Sequence, residues 1–167
     1  ASILYSSAVD MTRNLHVNPD SPEHQRATQQ LVHLTVASLL RSHDTFFALL
    51  QMMNRDFSVY THSVNVCIFS VALGKKLGFG KLQLYDLGLA ALLHDIGKAR
   101  ISLDILNKTT GLDEAEWKVM TRHPWFGTLT LFSSRRYEET PYRAILVAHE
   151  HHMKTDLTGY PKPTRAR

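Results

Sequence analysis

The segment HDIGK, residues 94–98, places an imidazole, a carboxylate and an ammonium group directly after the apolar run LGLAALL. Burying such groups costs free energy unless they are paired, hydrogen-bonded or bound to metal. On a helix, His94 and Asp95 project about 100° apart, so they can serve two adjacent metals. Two metals can activate water and hold a phosphoryl group for in-line attack. Lys98, one turn later, can hold a phosphate oxygen or protonate a leaving oxygen; a plain surface lysine is the alternative.

Ten histidines in 167 residues is a high number, and several of them lie inside apolar segments. A single histidine on an apolar stripe is more often a satisfied core residue than a ligand. Three on different helices favour a shared metal centre, because each neutral imidazole needs partners for both ring nitrogens. Helical spacing predicts three such stripes facing the core: His62 with Val66, Phe69 and Leu73, His94 with Leu87 and Ala91, and His152 with Ile145 and Ala148.

The donors gathered in this way are nitrogen and carboxylate groups without a thiolate. Asp95 adds an oxygen ligand, and the adjacent histidines 151–152 add a pair of nitrogens. Such a set suits iron, manganese or zinc and argues against a cysteine-type structural zinc site. A helical domain that binds no metal is the remaining alternative.

Helical periodicity recurs along the chain and no segment has a convincing strand pattern, which predicts an all-α bundle with a metal site in its core. Residues 1–20 are expected to be part helix and part loop, and the segment after residue 152 is expected to be loop. The predicted helices lie within residues 18–44, 44–54, 56–78, 81–97, 112–123 and 140–152.

Capping signals mark the ends of several predicted helices. Ser21 followed by Pro22 predicts a start, as Thr140 and Pro141 do later in the chain. Gly97 is expected to end the helix that carries HD. Two further signals concern residues 112–124: Asp113 and Glu116 have capping-box spacing, and Pro124 predicts a bend at His123.

Composition limits the functional classes. The length fits one domain with a short leader, and the net charge of +4 comes without a dense Lys/Arg block for duplex nucleic acid. No apolar run approaches the ~20 residues of a membrane span. The start lacks a signal-peptide pattern and an initiator methionine, so we expect a fragment of a cytoplasmic protein.

Cys67 is the single cysteine, which excludes an internal disulfide. We expect it to be a small buried hydrophobe.

HDIGK resembles the signature of HD-domain metal-dependent phosphohydrolases. Further segments in the same order are similar to those of HD-GYP domains, the bacterial class that hydrolyses cyclic di-GMP. These segments are YTHSVNV at 60–66, LGLAALLHDIGKARI at 87–101, ILNK at 105–108, RHPWFG at 122–127 and EHHMKTDLTGYP at 150–161. The resemblance covers about residues 45–161, and it implies a helical leader over 1–44 and an HD-GYP-like domain over 45–167.

The resemblance implies a set of site residues by motif position. The implied metal ligands are His62, His94, Asp95, His123, His151 and His152. Asp95 and Lys98 would be catalytic, and Lys98, Gly159, Tyr160 and Pro161 would contact substrate. His149 is left out, because the distance back from GYP selects the pair at 151–152. The implied cofactors are two divalent transition-metal ions, with iron or manganese favoured over zinc.

The chain departs from the family pattern at several positions. Members with a third metal carry glutamate where this chain has Ser58, so we predict two metals. Met153 replaces the glutamate of HHE, and Leu157 replaces the first glycine of the loop motif. The family normally continues with helices that bring another aspartate ligand. Two alternatives stay open: these helices follow Arg167 in a longer protein, or this is a truncated variant.

The implied function is a metal-dependent phosphodiesterase that opens cyclic di-GMP to the linear dinucleotide in bacterial second-messenger signalling. Two alternatives stay open. A degenerate HD-GYP module would bind metal and nucleotide, or a protein signalling partner, without turnover. An HD phosphohydrolase would instead act on another cyclic dinucleotide.

Overall fold

The computed structural model describes residues 2–52, 58–133 and 142–162, and every regular element in these ranges is helical, which confirms the all-α prediction. The chain divides into two compact units, residues 1–93 and 94–167. Within the described ranges, no helix combines the length and apolarity that a bilayer crossing requires. The functional division into a leader over 1–44 and a domain over 45–167 stays a prediction.

The described part of the first unit consists of five α-helices: α1 (Ser2–Val17), α2 (Pro22–Arg41), α3 (His43–Met52), α4 (Val59–Lys76) and α5 (Lys81–Leu93). Helix α1 covers most of the segment in which a mixture of helix and loop was expected. The predicted start of α2 is confirmed, because Ser21 Oγ accepts a hydrogen bond from the backbone N–H of His24 and Pro22 opens the helix. Cys67 is buried as predicted, and burial raises the pKa of its thiol to about 12.

The expectation that the His62 stripe of α4 faces the core was wrong. His62 is exposed, and Phe69 and Leu73 on the same stripe are 49% and 61% exposed. The buried face carries Val64, Cys67, Ile68 and Val71 instead. Apolar residues surround almost the whole circumference of this helix, so periodicity does not distinguish the face that packs from its neighbour.

Over residues 94–133 and 142–162, the second unit contains a 3₁₀ helix (Ile96–Arg100) and four α-helices, α6 (Leu103–Leu106), α7 (Glu114–Met120), α8 (His123–Ser133) and α9 (Tyr142–Glu150). The capping box at the start of α7 is confirmed by reciprocal hydrogen bonds between Asp113 and Glu116. The bend predicted at His123 lies at Thr121 and Arg122 instead, in the turn between α7 and α8, and His123 is already the first residue of α8. Thr140 and Pro141 lie outside the described residues.

Gly97 does not cap a helix, contrary to expectation. Helix α5 ends at Leu93, His94 and Asp95 form a turn, and Gly97 lies inside the 3₁₀ helix. A Cβ atom on Gly97 would lie 1.9 Å from the carbonyl oxygen of His123 and 2.3 Å from the backbone nitrogen of Gly127. The glycine is therefore required for the close approach of two backbones, which brings the turn carrying Asp95 against the start of α8.

Candidate metal centre

Asp95 is the centre of a buried cluster in the second unit. Its Oδ2 lies 2.7 Å from Lys98 Nζ and 3.2 Å from His94 Nε2. Its Oδ1 lies 3.2 Å from His123 Nε2 and 3.5 Å from His151 Nε2. Only 2% of the Asp95 side chain is exposed, so these contacts take place away from bulk solvent.

Backbone carbonyl groups fix the rings of two of these histidines. The carbonyl oxygen of Met120 lies 2.8 Å from His123 Nδ1, and those of Val147 and Ala148 both lie 3.1 Å from His151 Nδ1. A carbonyl oxygen only accepts, so Nδ1 of each ring carries the proton and donates it. In the neutral imidazole, Nε2 then presents a lone pair, which is the form that binds metal.

This arrangement fits a bound cation. Nε2 of His123 and Nε2 of His151 lie 3.1 Å apart, and both face the same carboxylate oxygen of Asp95. Two lone pairs and an anionic oxygen repel one another unless positive charge lies between them. Ligand atoms of four residues come within 4.8 Å of one another: Asp95, His123, His151 and His152. Imidazole and carboxylate donors of this kind are typical of iron, manganese and zinc sites.

The ionisation states agree with such a ligand set. Burial by itself would raise the pKa of Asp95, but the close side chains of His123, His151 and His94 outweigh burial and hold that pKa far below the ordinary range. Burial, followed by the neighbouring His151 and His123, lowers the pKa of His152 to about 4. Asp95 is therefore anionic and His152 neutral at physiological pH.

The GYP segment folds back onto His152. The ring of Tyr160 stacks on the His152 ring with centroids 4.5 Å apart and planes 24° apart, and the Tyr160 N–H donates to the His152 carbonyl oxygen over 3.1 Å. A Cβ atom on Gly159 would lie 2.1 Å from that oxygen, so only glycine allows the contact. The half-buried Pro161 follows in the same bend. The loop thus holds His152, which lies beyond the end of α9 and not on a helical stripe as predicted.

Other predicted residues are placed as follows. Lys98 lies in the 3₁₀ helix, and its side chain is 20% exposed with Nζ on Asp95. His149, which was left out of the ligand set, has Nδ1 3.2 Å from Thr128 Oγ1 and is not one of the four clustered ligands. His62 lies on α4 in the first unit, so its membership of the ligand set stays a prediction.

The sequence profile of the HD domain matches residues 59–167. The chain belongs to the HD-domain family. This HD domain is similar to the cyclic di-GMP phosphodiesterase PA4108 of Pseudomonas aeruginosa, with 36% identity over 131 residues that make up 78% of the chain and 31% of that protein. It is also 37% identical, over 108 residues, to 3'3'-cGAMP-specific phosphodiesterase 3 of Vibrio cholerae, covering 63% of the chain and 22% of that protein. The chain thus spans less than a third of the length of these curated relatives.

A solved structure shares the fold of this HD domain. It is Bd1817, a HDG"Y"P protein from Bdellovibrio bacteriovorus, with a TM-score of 0.79, 22% identity, and coverage of 94% of this chain and 51% of that one. Together with the family profile and the relatives' names, this neighbour supports the HD-GYP resemblance and confirms the predicted helical fold of the HD-domain type.

Two features of the HD domain were not predicted from the sequence. Leu157, at the loop position where a glycine is usual, has a φ angle of +64°, in the left-handed region that glycine adopts most easily. Trp117 places its ring 5.9 Å from Tyr160 with planes 80° apart. The glycine that is usual at position 157 in the loop motif was a signal for the left-handed backbone of Leu157. No local pattern indicates the contact between Trp117 and Tyr160, because these two residues are distant in sequence.

Proposed function

We propose that this chain is part of a metal-dependent phosphodiesterase that opens cyclic di-GMP to the linear dinucleotide. The observation that carries the proposal is the buried Asp95 carboxylate with Nε2 atoms of three histidines, His94, His123 and His151, within 3.5 Å of its oxygens. The names of the relatives as cyclic dinucleotide phosphodiesterases support the substrate class. The proposal places this phosphodiesterase in the cytoplasm. It also includes a protein signalling partner.

The proposed cofactors are two divalent transition-metal ions, iron or manganese in preference to zinc. Within the second unit, the residues that would hold them are His94, Asp95, His123, His151 and His152. When bound, such ions supply Lewis-acid charge that activates water and neutralises a phosphodiester. The carbonyl groups on Nδ1 of His123 and His151 hold both rings in place before any ligand arrives, so little reorganisation is needed.

Lys98 has the role of binding and protonating the substrate. One N–H of its ammonium group donates to Asp95 Oδ2, which leaves further N–H groups for a phosphate oxygen. The same Nζ atom can give a proton to the ribose oxygen that leaves when the phosphodiester bond breaks. Gly159, Tyr160 and Pro161 shape the wall of the substrate pocket beside His152.

The direct test compares the wild-type protein and Asp95→Ala, both loaded with manganese or iron(II) without oxygen. We expect chromatography to detect the linear dinucleotide with the wild type and no product with the variant. Equal turnover by both proteins would contradict the role of Asp95. Release of the mononucleotide would keep the enzyme class and change the proposed product.

A second candidate substrate is 3'3'-cGAMP, because one of the similar proteins bears that specificity in its name. Both cyclic dinucleotides place a phosphodiester between two purine nucleosides, so the clustered ligands serve either. The ratio of the two kcat/KM values decides between them. If kcat/KM is higher for 3'3'-cGAMP than for cyclic di-GMP, 3'3'-cGAMP becomes the proposed substrate.

A second candidate function is nucleotide binding without turnover. Met153 and Leu157 favour it, because both departures lie in the segment that holds His152, and Leu157 has the backbone conformation in which a leucine is strained. Tight binding of cyclic di-GMP by metal-loaded protein, without any product after prolonged incubation, would select this candidate.

A further inference from the structure

Trp117 is an exposed aromatic residue that neither the metal cluster nor the GYP motif explains. It lies on α7, and 51% of the residue is exposed. The start of α7 is fixed by the capping box of Asp113 and Glu116, and Lys108 forms an ion pair with Glu116. The indole is therefore presented to solvent from an anchored helix, although a large apolar ring is costly to expose.

A row of aromatic rings connects this indole to the candidate metal centre. Trp117 meets Tyr160 edge to face at 5.9 Å, and Tyr160 stacks on His152 at 4.5 Å. The Tyr160 ring is also 6.1 Å from the ring of His123. One end of the row is thus a proposed metal ligand, and the other end is an open aromatic surface.

The proposed substrate has the matching chemistry. In a cyclic dinucleotide, each purine base is separated from its phosphate by one ribose, so a phosphate at the ligand end leaves a base close to the outer end. Indole faces bind bases by stacking, and this interaction depends little on which base is present. Because Tyr160 is already stacked on His152, Trp117 is the ring in the row with the larger open surface.

We infer that Trp117 is the stacking surface for a purine base of the cyclic dinucleotide, and this inference rests on the proposed function. It adds a substrate-binding residue outside the HD and GYP motifs. The phosphate is held by the clustered ligands and Lys98, and the base is held by the indole, so the two recognition elements can be weakened separately.

The chain offers a matched control in its other tryptophan. Trp125 on α8 is 52% exposed, and its ring lies 6.2 Å from His149, which is outside the ligand cluster. We would compare Trp117→Leu, Trp117→Phe and Trp125→Leu in metal-loaded protein. The probe is the bisphosphorothioate analogue of cyclic di-GMP, which retains both bases and hydrolyses slowly, and calorimetry gives its Kd.

Loss of the stacking surface should raise the Kd of this analogue roughly tenfold or more in Trp117→Leu. Trp117→Phe should give a smaller increase, because a phenyl ring keeps a smaller face and its contact with Tyr160. Trp125→Leu should leave the Kd unchanged. An unchanged Kd in Trp117→Leu, in a protein whose wild type binds, overturns the inference alone; no binding by the wild type overturns the proposed function as well.

Inorganic phosphate, which has no base, separates stacking from a structural effect through Tyr160. Its affinity should be the same in the wild type and in Trp117→Leu, and an equal loss for phosphate and for the analogue overturns the inference. Fluorescence gives a second measurement that does not depend on the folding of Trp117→Leu. In Trp125→Phe, Trp117 is the remaining tryptophan of the two in the chain, and the analogue should quench its emission. Absence of quenching in a variant that binds the analogue contradicts the inference.

Discussion

Two turns supply ligands to the candidate centre, and they are built differently. The HD turn, residues 94–98, is buried around Asp95 and held by the contact of the Gly97 backbone with α8. The HH–GYP segment, residues 151–161, holds half-buried rings, and much of its loop is exposed. The first turn is fixed by backbone packing, and the second by ring stacking and a few loop hydrogen bonds.

This difference suggests that the HD turn keeps the family pattern and that sequence changes are tolerated in the HH–GYP segment. HDIGK carries no departure from the family pattern, whereas Met153 and Leu157 both lie in the HH–GYP segment. A change in the HD turn moves the carboxylate that contacts His94, His123 and His151. A change at Met153 or Leu157 affects the loop beside His152 and the proposed pocket wall, so this is the part in which substrate fit can vary without loss of the metals.

The largest effect should come from Asp95→Asn in the HD turn. The substitution keeps the shape of the side chain and removes the charge that faces three histidines. We expect loss of bound metal and a fall in turnover of about a thousandfold or more. Elemental analysis and a cyclic di-GMP hydrolysis assay measure the two effects.

The matched control for Asp95→Asn is His149→Gln. This change removes an imidazole from the second unit, but His149 contacts Thr128 and is not one of the clustered ligands. Metal content and turnover should stay close to those of the wild type. Full metal content in Asp95→Asn would show that Asp95 is not a metal ligand. It would also contradict the claim that the HD turn is the part of the centre on which metal binding depends.

Gly97→Ala tests whether backbone packing fixes the HD turn. The new methyl group would overlap the His123 carbonyl oxygen and the Gly127 nitrogen, so the unfolding free energy should fall by about 3 kcal/mol. Chemical denaturation measures it. The control is Gly127→Ala on the facing helix, where the nearest atom to a new Cβ would be 3.4 Å away. That variant should be neutral or slightly more stable, and equal losses in both would contradict the packing argument.

Local signals predicted much of the fold and of this site. The caps at Ser21 and at Asp113 act within a few residues, so the sequence contains both partners. The end of α5 was predicted wrongly, because Gly97 is required by a backbone 30 residues away and not by a helix terminus. The His62 stripe was predicted wrongly, because α4 is apolar on several faces.

The site residues divide in the same way. The family resemblance implied Asp95, His123 and His151 by motif position, and the fold brings these three residues together. Motif spacing did not predict the orientation of the rings, because it depends on carbonyl groups such as that of Met120, which belong to the backbone and have no residue signature. The same limit applies to Trp117, whose partner Tyr160 is more than 40 residues away in the chain.

Leu157→Gly tests the strain in the HH–GYP segment. Leucine in the left-handed region costs about 1–2 kcal/mol, whereas glycine adopts this conformation freely. Because Leu157 is exposed, little apolar burial is lost, and the unfolding free energy should rise by about 1 kcal/mol. The reverse change, Gly111→Leu, is the control, since Gly111 has a φ angle of +68° and open space around it. It should lower stability by a similar amount; a loss of stability in Leu157→Gly would contradict the strain argument.

The smallest effect concerns the pH response of the same segment. Hydrogen bonds from the hydroxyl and backbone N–H of Thr158 lower the pKa of Asp156, whose Oδ1 accepts both at 2.7 and 3.0 Å. A lowered carboxyl pKa stabilises the fold above the unfolded value of about 3.9, and this contribution is lost as the pH falls through the folded value. In metal-free protein, we expect faster exchange of the Thr158 amide, relative to the intrinsic rate, as the pH falls below about 4. Asp156→Asn keeps an accepting oxygen without a titrating group, so its protection should change less over the same range. Identical pH profiles in the two proteins would show that the Asp156 carboxylate does not hold this loop.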